Sequence, residues 1–238
     1  MSDLLNKAIT AHGGWERWQR LTRVIVKAKI GGAIWIVKGK AGVLNSVTIK
    51  ADLHRQHIEY SPFGEGQHSV FDADQTSIVK DDGTIVSTRT APRKAFQGHS
   101  FATPWDDHHL IYFSGYAMWI YLTTPFLLRY LGFYVEEIEP WNENGETWRR
   151  LRARFPRDIH GHSPWQTFYF NDAGILQRQD YSVGIIGGTS SANYATEPKV
   201  FNGLVFPTKR RVYSFGANNR PVLDRIAVSI DFDDLSFS

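Results

Sequence analysis

Apolar and polar residues alternate with a period of two from Leu21 onward. Val24, Val26, Ala28 and Ile30 interleave with Arg23, Ile25, Lys27 and Lys29, the rhythm of a strand with one buried face. Gly31-Gly32 then predicts a hairpin turn into a second strand, Ala33–Lys40. Short strands are expected over Val43–Ile49, His54–Tyr60, His68–Phe71, Ser77–Lys80 and Thr84–Thr88. A later set covers Tyr134–Glu139, Thr147–Phe155, Gln166–Phe170, Ile175–Val183, Ala192–Phe201, Leu204–Tyr213 and Arg225–Phe232. The connections carry turn chemistry, as in Asp81-Asp82-Gly83, Asn144-Gly145, Asn171-Asp172-Ala173-Gly174 and Asn202-Gly203.

Two segments break that rhythm. Ser2 to Arg20 reads as a helix with a stripe of Leu4, Leu5, Ala8 and Ile9, interrupted at Gly13-Gly14 and resumed by Trp15 and Trp18. Between Thr90 and Arg129 the period of two is lost, and a helix is predicted over Asp106–Leu122. That helix is apolar nearly all round, which marks it as buried. A dozen antiparallel strands curl when they form one sheet, and the apolar helix is the obvious cover for the concave face. The fold class is therefore mainly β (α+β). A single curved antiparallel sheet, or incomplete barrel, wraps an inserted apolar helix and carries an N-terminal helix. One domain spans 1–238, with the helical insert at about 91–130.

Three stretches resemble a known family: Ala11-His12-Gly13-Gly14-Trp15-Glu16-Arg17-Trp18, the hairpin Phe168–Leu176, and Phe201–Lys209. They are similar to the start, a recurring hairpin and a late strand pair of the bacterial carriers that sort outer-membrane lipoproteins, the LolA-like half-barrels. The resemblance implies an incomplete barrel enclosing an apolar cavity, which holds acyl chains in the carriers. The segment Gly98–Phe126 has no counterpart among the carriers' features. With no apolar run at the N-terminus, the chain reads as a cytoplasmic branch of that group.

Composition narrows the partners. Of 238 residues 42% are hydrophobic and 21% charged, ample for a folded core. A net charge of +3 excludes a densely basic nucleic-acid binder, and Lys209-Arg210-Arg211 reads as a solvated strand end. There is no cysteine, so disulfides and thiolate chemistry are excluded. No run reaches the ~20 apolar residues of a membrane span, so no integral membrane contact is expected. Nucleophile-elbow, dinucleotide, P-loop and zinc-protease motifs are all missing, and no cofactor is expected.

Candidate chemistry gathers in the insert. His108, Tyr112, Tyr116 and Trp119 fall on one helix face. With His99 and Asp106 they form a potential acid–base cluster, the histidine titrating near neutrality and the phenols polarising an oxygen. The same residues also fit plain packing: Asp106 as N-cap, Asp107 at the positive end of the dipole, the tyrosines hydrogen-bonded across the core. Trp105, Phe113, Trp119, Tyr121 and Tyr169 are the candidate ligand contacts. No metal site is expected. His108 and His109 diverge on a helix, and His160-Gly161-His162 reads as an exposed, solvated loop. Asp231, Asp233 and Asp234 read as the outward side and frayed end of the last strand. The expected partner is an apolar small molecule or lipid held between the sheet and the 106–122 helix. The alternative is a cofactor-independent hydratase, lyase, isomerase or cyclase acting on an apolar substrate there.

Overall fold

The computed structural model describes residues 2–216 and 220–238. Helix α1 (Asp3–Ala11) buries Leu4, Leu5, Ala8 and Ile9 on one side, and the short α2 (Trp15–Gln19) buries Trp18. Strand β1 (Arg23–Gly31) turns Val24, Val26, Ala28 and Ile30 inward and Arg23, Ile25, Lys27 and Lys29 outward. After the short helix α3 (Ala33–Val37) come β2 (Val47–Asp52), β3 (His57–Ser61), β4 (Gln67–Asp72), β5 (Gln75–Lys80) and β6 (Ile85–Thr90), each antiparallel to its predecessor. Helix α4 (Asp107–Thr123) follows. A second meander then runs through β7 (Tyr134–Glu143), β8 (Glu146–Arg154), β9 (Trp165–Phe170), β10 (Leu176–Val183), β11 (Thr189–Phe201), β12 (Leu204–Ser214) and β13 (Val228–Phe237).

Strand β13 returns to pair with β1, so the 13-stranded sheet runs β6-β5-β4-β3-β2-β1-β13-β12-β11-β10-β9-β8-β7. It does not close: β6 and β7 remain edges, and the chain passes from one to the other through α4. Edge strands invite pairing with other chains. Here β7 carries Glu136, Glu137, Glu139 and Pro140, which discourage it. Glu137 meets Arg149 at 2.7 Å and Glu136 lies 3.8 Å from Arg152.

Helix α4 is buried at every position from Leu110 to Thr123. Asp106 caps it, accepting from the His109 amide at 2.9 Å while its own amide donates to His109 Nδ1 at 3.2 Å. Inside the core its hydroxyls turn back onto the helix. Ser114, Thr123 and Thr124 each donate to the carbonyl four residues earlier at 2.7 Å. The helix leans on β3, β4 and β5. It lies so near β4 that a Cβ on Gly115 would fall 2.3 Å from the Phe71 ring. Docked hard against one flank of the half-barrel, α4 leaves a gap on the other.

Three expectations are corrected. Ala33–Lys40 is not a strand, because both sides of β1 are taken by β2 and β13 and no place in the sheet remains. Gly32, at φ 119°, turns the chain where a side chain would strike the Ala227 carbonyl, and the segment coils into α3. The amides of Ala33 and Ile34 donate to Ile226 and Ala227 carbonyls, both at 3.1 Å. The last strand is not Arg225–Phe232 but Val228–Phe237. Its far end is paired rather than frayed: Asp233 meets Lys29 at 3.1 Å and Asp231 meets Arg211 at 2.7 Å. Finally, Lys209-Arg210-Arg211 is no solvated end. Lys209 pairs with Glu197 at the surface, and Arg210 is fully buried.

Candidate functional site

The gap left by α4 is a narrow apolar slot, only about 40 Å³ in volume. Phe113, Ala117, Met118 and Tyr121 of α4 form one wall, and Tyr181, Val212, Val228 and Ile230 of the sheet form part of the other. Ile34 and Phe101 stand at the mouth, where a second depression shares them. The loop bearing Phe101 is fastened by Lys38, whose buried ammonium donates to the carbonyls of Ser100, Phe101 and Thr103 at 3.1, 2.6 and 3.1 Å. Burial lowers its pKa to about 8, so the ammonium persists at neutral pH. Three carbonyls are what hold a buried charge there.

Deeper, the slot meets polar groups. The His162 imidazole stacks on Tyr181, with centroids 3.9 Å apart. Tyr116 and Tyr121 hydroxyls lie 3.1 Å from its Nδ1 and Nε2, and Tyr121 is 2.7 Å from the Tyr181 hydroxyl. In either tautomer, one ring nitrogen donates and the other accepts. Burial, with some help from the Arg93 charge, lowers the His162 pKa to about 3. Burial likewise pushes Tyr116, Tyr121 and Tyr181 up. These four hydrogen-bonded side chains are all neutral at physiological pH.

One pleat further along the same strands lie Gln179 on β10, Asn193 on β11 and Arg210 on β12, all buried. Arg210 Nη2 donates to the Tyr121 carbonyl at 3.1 Å, and its guanidinium lies over the Tyr121 ring at 4.6 Å. Its Nε and Nη1, both polar side-chain atoms of Asn193, and Gln179 Oε1 have no partner among the described residues. A buried polar atom left unsatisfied costs about 1–3 kcal/mol, and more when charged.

The residues expected to form an acid–base cluster do not converge. Asp106 is bound by Arg89 through both oxygens at 3.0 and 2.6 Å. Burial alone would raise its pKa, but Arg89 and His109 bring it down to about 2. His108 turns toward β5 and β6, meeting Thr76 at 2.9 Å and Ser87 at 3.1 Å. His99 packs on His109 with ring centroids 4.8 Å apart. Tyr112 meets Arg93 and His160, both at 3.1 Å. Tyr116 joins His162, while Trp119 donates to the Asp52 carbonyl at 2.8 Å near the opposite end of the helix. The shared stripe is real, yet each group on it is consumed by a different neighbour.

Of the expected ligand contacts, Phe113 and Tyr121 line the slot. Trp105 packs behind Phe113 at 4.9 Å, and Trp119 lies elsewhere in the core. Tyr169 is on the convex face, where its hydroxyl donates to Asp180 at 2.5 Å. The 160–162 segment is corrected outright. His162 is buried against Tyr181, and His160 is tied to Gln56 through its amide and carbonyl, both at 2.8 Å. Sequence reasoning missed His162, Asn193 and Arg210. A polar residue at an inward position of an otherwise alternating strand was the available signal for the last two, since Arg210 sits two residues from Val212 and Thr208.

No family model matches the sequence, and no curated protein matches it. Solved structures do match in fold. A DUF1329 family protein from Desulfovibrio piger has a TM-score of 0.55 at 8% identity, over 99% of this chain and 92% of that one. A putative outer membrane lipoprotein-sorting protein domain from Vibrio parahaemolyticus gives 0.53 at 9% identity, over 99% and 91%. A LolA superfamily protein from Nitrosomonas europaea gives 0.50 at 10%, over 99% and 92%. The half-barrel fold expected from the sequence resemblance is thus shared along nearly the whole chain.

Proposed function

We propose that the protein, acting as one domain over 1–238, binds an apolar small molecule or lipid chain in the slot between α4 and strands β10–β13. The observation that carries this reading is the slot itself, an apolar space on one side of a helix that on its other side packs as closely as Gly115 against Phe71 of β4. Concave, mostly apolar sites with a few polar groups at one end are the common form of small-molecule pockets. The fold shared with a putative lipoprotein-sorting domain supports the same direction. Binding is favoured over catalysis because the titratable groups bordering the slot, His162, Tyr121 and Tyr181, are held neutral. An imidazole with a pKa of about 3 is a poor base at neutral pH.

Native mass spectrometry of gently purified protein tests for a co-purifying lipid, and calorimetry with dodecanol tests the site. Ala117→Trp, which fills the slot from α4, should weaken dodecanol binding by at least about 10-fold. Unchanged affinity in that variant would place the ligand elsewhere.

A further inference from the structure

We propose that the ligand is a single-chain amphiphile with a carboxylate head, its tail in the slot and its acid group bound by Arg210 and Asn193; this rests on the binding reading above. Tyr181, Ser191 and Val212 line the slot, and Gln179, Asn193 and Arg210 are the next inward-facing positions on the same three strands. Alternate residues of a strand are about 7 Å apart, so these side chains lie one step beyond the slot's lining, and Ile230, the cross-strand partner of Arg210, belongs to that lining.

What they present there is unusual for a protein interior. Arg210 is fully buried, and among the described residues no carboxylate pairs with it. Two of its three nitrogens lack acceptors, and the side-chain amide of Asn193 on the neighbouring strand β11, close to the Tyr121 side chain, makes no hydrogen bond of normal geometry. Buried charges are normally paired, and an anionic head would complete this one with charge-assisted hydrogen bonds. Burial lowers the Arg210 pKa to about 10, which leaves it protonated at neutral pH. One guanidinium matches the single charge of a carboxylate, whereas a phosphate monoester carries about −1.5 to −2. The narrow apolar slot above would suit a slender chain rather than a bulky ring system.

The test compares dodecanoate, dodecanol and dodecyl phosphate by calorimetry at pH 7.5, on the intact protein and on Arg210→Gln. Dodecanoate should bind wild type at least about 10-fold more tightly than dodecanol, and more tightly than dodecyl phosphate. Arg210→Gln should erase the preference for acid over alcohol and leave dodecanol affinity within about twofold. Equal binding of acid and alcohol by wild type would overturn the carboxylate assignment while leaving the slot reading intact. Tighter binding of dodecyl phosphate would overturn the choice of head group. If none of the three binds, the slot reading falls and this inference with it.

A measurement on the unmodified protein guards against misfolding of the variant. Carbon-13 NMR of carboxyl-labelled dodecanoate, followed from pH 7.5 down to the onset of acid unfolding, should show the bound acid still ionised where the free acid has begun to protonate, at about pH 5. A bound titration at or above that of the free acid would overturn the proposal.

Discussion

Two arginines on neighbouring parts of the sheet are removed from water, and their surroundings are opposite. On the convex face, Arg178 is held by Asp180 through Nε and Nη2 at 2.7 and 2.9 Å and by Glu143 at 2.7 Å. Tyr194 hydrogen-bonds Glu143, Tyr169 bonds Asp180, and Trp141 and Phe215 enclose the guanidinium. On the concave side, Arg210 has one carbonyl and one aromatic face. Burial disfavours the charge in both places. Asp180 more than offsets this at Arg178, whereas nothing of the kind acts on Arg210. A fully answered charge is structural, and an unanswered one whose cross-strand neighbour Ile230 lines the slot is available to something else.

The largest expected effect is the contrast between truncating the two. Arg178→Met leaves Asp180 and Glu143 buried without their cation and should cost about 3–5 kcal/mol. Arg210→Met removes an uncompensated charge and should be neutral or stabilising by about 1 kcal/mol. Urea unfolding of both variants measures the difference, and equal losses would show that Arg210 is as structural as Arg178.

Acidification probes the concave side through its buried histidines. Burial holds His12 at about 4 and His162 at about 3, against 6.5 when unfolded. The unfolded chain therefore takes up protons first, and stability is lost as pH falls below 6.5. At pH 5 each histidine should cost about 2 kcal/mol relative to pH 7.5. Asp106, lowered to about 2, contributes stability that is lost only below about 3.8, outside that window. Unfolding midpoints that coincide at pH 5 and 7.5 would mean that neither histidine is as dry as the structure shows.

Tyr116→Phe is the smallest of the three. It leaves His162 Nδ1 without its hydroxyl partner, and should cost about 1–2 kcal/mol. Dodecanol affinity should not change, because Tyr116 is not in the slot wall. A loss of binding without a loss of stability would move the site toward Tyr116.

The architecture was legible because strand alternation and turn glycines are local signals. The inward row of β1 and the cap at Asp106 were readable at once. α3 was not, because its apolar, β-branched sequence favours a strand, and only the occupied neighbours of β1 forbid one. The stripe on α4 was correctly placed on one face. However, a shared face says nothing about depth along a 17-residue helix, and its members meet different strands. His162 and Arg210 were hidden for a related reason: loop composition and a run of basic residues suggest solvent, while burial is decided by strands far away in sequence.

The seam between β1 and β13 carries a consequence for how the chain is made. Each meander can assemble from adjacent hairpins, but β1 gains its second neighbour only when residues 228–237 exist. At about 5–20 residues per second, the stretch from Gly31 to Val228 takes roughly 10–40 s to emerge from a ribosome. Throughout that interval one edge of β1, with Val24, Val26 and Ile30 on its inner face, stands without its partner strand. Nascent chains of this protein should therefore engage chaperones early and be released late, when the final strand closes the seam.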